Sequence, residues 1–120
     1  MKKVLVVDDN PLNLKLIRTI LEVNGFEVIA KDDPEEVIQK LDHLAPDLIL
    51  LDIQMPKIDG ITLFKLLREQ FGDRVPIIAL TAYAMKGDKE RFLEIGFDDY
   101  IDKPIEVKNF LKKVEEYIER

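Results

Sequence analysis

Three aspartates, a threonine and a lysine stand just behind short apolar runs. Asp8 and Asp9 follow Val4 to Val7, Asp52 follows Leu48 to Leu51, Thr81 follows the run ending at Leu80, and Lys103 comes soon after Ile101. In open parallel sheets ligands bind beyond the carboxyl ends of the strands. If each run is such a strand, these side chains converge at one end of one sheet. Two carboxylates about 5 Å apart repel by roughly 3 kcal/mol even at an effective dielectric near 20, so three gathered in one pocket call for a compensating charge. A divalent cation would supply it. The chain has no cysteine and one histidine, His43, so any such metal must be held by oxygen, which selects Mg²⁺ or Mn²⁺. A site with few carboxylates leaves coordination positions for water and a phosphate oxygen.

Apolar runs rich in Val, Ile and Leu, at Lys3 to Val7, Glu27 to Ala30, Asp47 to Leu51, Val75 to Leu80 and Asp99 to Ile101, alternate with longer segments of helical periodicity. That alternation predicts an α/β fold, a doubly wound parallel sheet of five strands covered on both faces. The first, third and fourth runs are nearly continuous hydrophobes and read as central strands. The second and fifth, shorter and more polar, read as edges. Asn10-Pro11 opens the first helix, with Leu14, Ile17 and Leu21 inward and Gly25 behind it. Asp33-Pro34-Glu35-Glu36 opens the second, which carries Val37, Ile38, Leu41 and Leu44 inward and stops at Pro46. The others are expected near Ile61 to Gln70, Gly87 to Ile95 and Glu106 to Glu119, the last with Phe110, Val114 and Ile118 in one stripe.

The 120 residues, 47% apolar and 35% charged, suit one compact domain, expected over 1–120, with no repeat or linker-like stretch. No apolar stretch approaches the roughly 20 residues of a membrane span, and Met-Lys-Lys is not followed by a signal-peptide core. A cytoplasmic protein is expected. The net charge of −6 with scattered basic residues argues against direct nucleic-acid binding.

The chain resembles the response regulator receiver family, with its CheY-like or flavodoxin-like (βα)5 fold and strand order 2-1-3-4-5. The resemblance is carried by V-L-V-V-D-D-N-P, L-I-L-L-D-I-Q-M-P-K-I-D-G, I-I-A-L-T-A-Y-A and Y-I-D-K-P. Any one of them is weak alone; it is their occurrence together, in order and each at a strand end, that is specific. The resemblance implies a phosphoacceptor domain of a two-component His-Asp phosphorelay. Asp52 would take phosphate from a sensor histidine kinase or phosphotransfer protein, and Asp9, Asp52 and the Gln54 backbone carbonyl would bind Mg²⁺, with Asp8 assisting through water. Lys103 would neutralise phosphoryl oxygens, and Lys103-Pro104 would be cis.

The resemblance further implies that Thr81 and Tyr100 transmit the signal to the face of the fourth helix, fifth strand and fifth helix, where Lys89, Lys108 and Lys112 would sit and a protein target would dock. Such a domain catalyses only its own phosphotransfer and autodephosphorylation, and is otherwise no enzyme. Gln54 and Tyr83 flank the site and bear on the lifetime of the phosphorylated state. The T-A-Y-A-M segment is similar to stand-alone regulators of the DivK type or to receivers attached to hybrid kinases.

Each residue also has a plainer reading. Asp8 and Asp9 could be helix N-terminal acids, Asp59-Gly60 reads as a turn without chemistry, and Thr81 could cap a loop. Tyr100 could be a strand aromatic. His43 reads as a solvated last-turn residue, Met55 and Met85 as loop or rim packing groups, and the Lys and Glu of the last helix as a solvated face. A flavodoxin-like nucleotide binder would share the fold, but its phosphate loop needs Gly, Ser and Thr donors where this chain has Asp-Asp-Asn-Pro; absence of flavin absorbance would dispose of it. A metal-dependent phosphatase usually carries Asp-x-Asp after the first strand and a cap domain, neither of which is found. Turnover of a generic phosphate ester would revive it. A receiver-shaped scaffold without phosphorylation is the third alternative.

Overall fold

The computed structural model describes residues 1–55, 58–82 and 88–118. In chain order the elements are β1 (Lys3–Val7), α1 (Pro11–Val23), β2 (Glu27–Lys31), α2 (Pro34–Gln39), a 3-10 turn (Leu41–His43), β3 (Leu48–Asp52), α3 (Gly60–Phe71), β4 (Ile77–Thr81), α4 (Asp88–Ile95), β5 (Asp99–Asp102) and α5 (Val107–Ile118). The strands form one sheet in the order β2-β1-β3-β4-β5, every pair parallel.

Because strand side chains alternate between faces, each central strand feeds two cores. Leu5, Val7, Ile49, Leu51, Ile77 and Ala79 face the layer of α2, α3 and α4, where Val37, Leu63, Phe64, Leu67 and Phe92 meet them. Val4, Val6, Leu48, Leu50, Ile78 and Leu80 face α1 and α5, against Ile17, Leu21, Phe110 and Val114. This is why β1, β3 and β4 read as unbroken hydrophobes: both parities are buried.

Helix starts follow the capping residues. Asn10 Oδ1 accepts from the N–H groups of Leu12 at 3.0 Å and Asn13 at 3.3 Å, with Pro11 in the first turn. Asp33 caps α2 through Glu35 N–H. Glu36, however, turns to Lys31 at 2.8 Å and Lys40 at 3.3 Å.

The structure corrects several sequence expectations. Helix α2 ends at Gln39, and Leu41 and Leu44 reach the core from the 3-10 turn and the residue after it. Strands β3 and β4 run one residue further than the apolar runs, so Asp52 and Thr81 are the last strand residues and not the first loop residues. Leu14 is only partly buried. Met55 sits in the core on the α3 side, not at a rim. Asp59-Gly60 is the start of α3, with Asp59 Oδ1 accepting from Ile61 N–H at 2.9 Å. Lys113 of α5 is tied to β5 and does not belong to a solvated face. His43 is exposed at the end of its 3-10 turn. Tyr83, Met85 and Gly87 lie outside the described residues, as does the side chain of Lys89.

Candidate phosphoacceptor site

At the carboxyl end of the sheet, β1 delivers Asp8 and Asp9, β3 delivers Asp52, and the turn after β5 delivers Lys103. Asp8 and Asp52 are buried, as is Thr81 at the tip of β4. Asp8 Oδ1 accepts from Asn10 N–H at 2.9 Å, and Asp52 Oδ1 accepts from Gln54 N–H at 3.0 Å. The Lys103 ammonium lies 3.0 Å from Asp8 Oδ2 and 3.3 Å from Asp52 Oδ1, and the Lys103-Pro104 peptide is cis. Carboxylate oxygens of Asp8, Asp9 and Asp52 all lie within 4.8 Å of one another.

These groups open on a recess of about 420 Å³ lined by Asp9, Asn10, Asn13, Asp52, Gln54, Ala82, Lys103 and Pro104. A larger groove, about 630 Å³, lies at the opposite end of the sheet among Lys2, Pro46, Phe71, Arg74 and Tyr117. It does not gather reactive groups: its Asp47 is engaged by Lys3 N–H and its Asp98 by Arg68 and Ile77 N–H. The carboxylates and the lysine are gathered at the smaller recess.

One lysine cannot neutralise three carboxylates. Burial is the main cause that pushes the Asp52 carboxyl up to about 7; Asp8 and Asp9 add to it, while Gln54 N–H and the Lys103 ammonium pull the other way. Three converging carboxylates, two of them buried and with a single lysine between them, and hard oxygen donors alone fit a small divalent cation such as Mg²⁺.

Thr81 does not line the recess. It continues the parity of Ile77 and Ala79, and Tyr100 stands opposite Ala79 in the register of β4 with β5. Tyr100 packs against the same core layer as Ala79, its ring 6.5 Å from that of Phe92.

Gly60 is a positioning residue that the sequence reading missed. A Cβ there would stand 2.5 Å from Ile53 Cα and 2.6 Å from the Asp52 carbonyl oxygen, so the absence of a side chain lets α3 begin against the backbone at the end of β3. The D-G dipeptide that begins seven residues beyond Asp52 is the available signal.

A doubly wound sheet with clustered carboxylates and a lysine at its carboxyl end defines a receiver-type phosphoacceptor fold. The chain belongs to the response regulator receiver family: the family model for the response regulator receiver domain matches residues 4–115. It is 42% identical over 118 residues to the polar-differentiation response regulator DivK of Brucella anthropi, covering 98% of this chain and 96% of that one. Among solved structures it is similar to the receiver domain of Francisella response regulator 1452, with a TM-score of 0.90, 33% identity and coverage of 100% and 98%. It is also similar to the receiver domain of sensor histidine kinase PA1611 from Pseudomonas aeruginosa PAO1, which has a magnesium ion coordinated in its active-site cleft; there the TM-score is 0.87, the identity 34% and the coverage 99% and 98%. The chain is thus a signalling domain of two-component systems and not a conventional enzyme. Among the described residues no helix is long and apolar enough to cross a membrane.

Proposed function

We propose that residues 1–120 act as one receiver domain in which Asp52 accepts a phosphoryl group from a phosphohistidine on a sensor histidine kinase or phosphotransfer protein. The observation that carries this reading is the buried Asp52 carboxylate at the tip of β3, 3.3 Å from the Lys103 ammonium and open to the recess. In the transfer the phosphorus–nitrogen bond breaks as a bond from a carboxylate oxygen to phosphorus forms, and the bonding pair returns to the imidazole. Lys103 offsets negative charge on the phosphoryl oxygens, and Gln54 N–H keeps the carboxylate oriented. Asp8, Asp9, Asp52 and the Gln54 backbone carbonyl would hold Mg²⁺. When bound, Mg²⁺ supplies charge neutralisation at the phosphoryl oxygens.

Thr81 and Tyr100 carry the change outward. A phosphoryl group brings nearly two extra negative charges and new acceptor oxygens, and the Thr81 hydroxyl is drawn in to donate to one of them. Tyr100, on the same face of the sheet, then repacks the surface of α4, β5 and α5, on which Lys108 and Lys112 are exposed. The output is a protein contact in the cytoplasm, with no role for nucleic acid or a membrane, and the domain hydrolyses only its own phosphoryl group. The DivK likeness over nearly the whole chain favours a stand-alone regulator; a receiver from a hybrid kinase is the second reading, favoured by the likeness to PA1611.

The test is intact mass after incubation with Mg²⁺ and a small phosphodonor. One acid-labile phosphoryl group is expected on the wild type and none on Asp52→Asn. Equal labelling of Asp52→Asn at the same rate would show that the acceptor is another residue.

A further inference from the structure

Helix α5 carries a lysine whose contacts set it apart from its solvated neighbours. The Lys113 ammonium donates to Asp99 Oδ1 at 3.1 Å and to the Tyr100 carbonyl. It also stands 4.7 Å from the centroid of the Tyr100 ring. Asp99 is the hub of this arrangement: Tyr100 N–H donates to its Oδ1 at 2.7 Å, and the Tyr117 hydroxyl lies 2.9 Å from its Oδ2. Burial by itself would raise the Asp99 carboxyl, but Tyr100 N–H, Lys113 and Tyr117 together hold it below the usual carboxylate range. The carboxylate is therefore charged at neutral pH and anchors the ammonium.

A clamp serving only to fasten α5 to an edge strand would need the bond to Asp99 and no more. Here the same ammonium also sits against the ring of Tyr100. That ring also stands 6.5 Å from the ring of Phe92 in α4, and along the sheet it is opposite Ala79, two residues before Thr81. A cation near an aromatic ring stabilises the ring where it is, and here the cation is tethered at two further points, so the ring is held against a fixed charge.

We propose that Lys113 is a positioning residue for signalling: it holds the Tyr100 ring in its present place and so sets how readily that ring responds when Asp52 is phosphorylated. This rests on the reading of Tyr100 as the moving aromatic. Removing the charge should shift the balance of Tyr100 positions about 2- to 30-fold toward the phosphorylated arrangement, the range that ring–cation contacts span.

The protein has three tyrosines, so the whole chain labelled with 3-fluorotyrosine gives a tractable fluorine NMR spectrum, with Tyr100 assigned through Tyr100→Phe. Beryllium fluoride with Mg²⁺ serves as the phosphoryl mimic. In wild type the Tyr100 line should move on adding the mimic. In Lys113→Met without mimic it should already be displaced along that direction, and Lys113→Arg, which keeps a cation, should restore the wild-type position. Lys113→Gln keeps neutral donors for Asp99 and the Tyr100 carbonyl, replaces the Met variant if that one fails to fold, and is expected to behave like it. A merely structural clamp would lower the melting temperature without moving the line along the mimic's direction, and that result overturns the proposal. So does a Tyr100 line in Lys113→Met or Lys113→Gln that matches wild type with and without mimic. If the mimic leaves the Tyr100 line of wild type unmoved, the reading of Tyr100 as the moving aromatic falls as well.

Discussion

A Cβ on Gly60 would come within 2.5 Å of the Cα of Ile53, so the first residue of α3 and the residue after Asp52 are in backbone contact. Gly→Ala near a helix start ordinarily gains up to about 1 kcal/mol through helix propensity. Here the added methyl must displace backbone, with overpacking costs of about 1–3 kcal/mol. Gly60→Ala is therefore expected to lower stability and, because the displaced strand end carries Asp52, to slow phosphorylation. Urea unfolding and labelling with a small phosphodonor check the two effects; a stabilised Gly60→Ala would show that the contact relaxes without cost.

Asp52 supplies a pH signature in metal-free protein. Its folded-state pKa, about 7, lies above the ordinary value of 3.8, so the folded state binds this proton more tightly than the unfolded state does. Stability from this group is full below about pH 4 and is lost as the pH rises through about 7. In chelator, the melting temperature of Asp52→Asn minus that of wild type should widen between those limits and level off above them. A difference independent of pH would show that the carboxyl titrates normally.

Charge crowding around Asp9 makes the third expectation. Oxygens of Asp8, Asp9 and Asp52 lie within 4.8 Å, and Lys103 pairs with Asp8 and Asp52. Asp9→Asn should raise the metal-free melting temperature and weaken stabilisation by Mg²⁺, since a ligand stabilises in proportion to RT ln(1 + [L]/Kd). Thermal melts across a Mg²⁺ titration read both quantities. A lower metal-free melting temperature would count against crowding.

The convergence of Asp8, Asp9, Asp52 and Lys103 could be read from sequence because each sits at the carboxyl end of an apolar run, and a parallel sheet puts all such ends together. The doubly buried strands announced themselves through both parities being apolar. What escaped was set by packing between neighbouring elements, which composition and local spacing do not show. Asp59-Gly60 has the composition of a turn, and only the approach of α3 to β3 shows why the glycine is there. Met55 follows a polar residue in a loop, yet it fills the core beside α3. Lys113 matches the spacing of a solvated face, and its partners Asp99 and Tyr100 lie 13 to 14 residues earlier. The ends of β3 and β4 were misjudged because Asp52 and Thr81 are polar, although the ladder continues through them.

Thr81 gives the sharpest test of the route from acceptor to surface. It is buried at the tip of β4, pairs with Asp102 in the ladder, and shares its face with Ala79 and Tyr100 while Asp52 follows the other parity, that of Leu48 and Leu50. Because β3 and β4 are neighbours and both end here, its hydroxyl, once drawn toward a phosphoryl group on Asp52, would link that group to the α4 side of the sheet. Thr81→Ala leaves Asp52, Lys103 and the candidate metal ligands in place, so phosphorylation should persist while binding to a phosphate-dependent partner weakens by about tenfold or more, the loss of a hydrogen bond to a charged group, about 1.5–3 kcal/mol. The comparison is made at equal phosphoryl occupancy, set by mass spectrometry, with affinity read by titration calorimetry against the partner. Unchanged affinity in fully phosphorylated Thr81→Ala would mean that the signal reaches the surface without this hydroxyl, whereas loss of phosphorylation itself would place Thr81 in the transfer step.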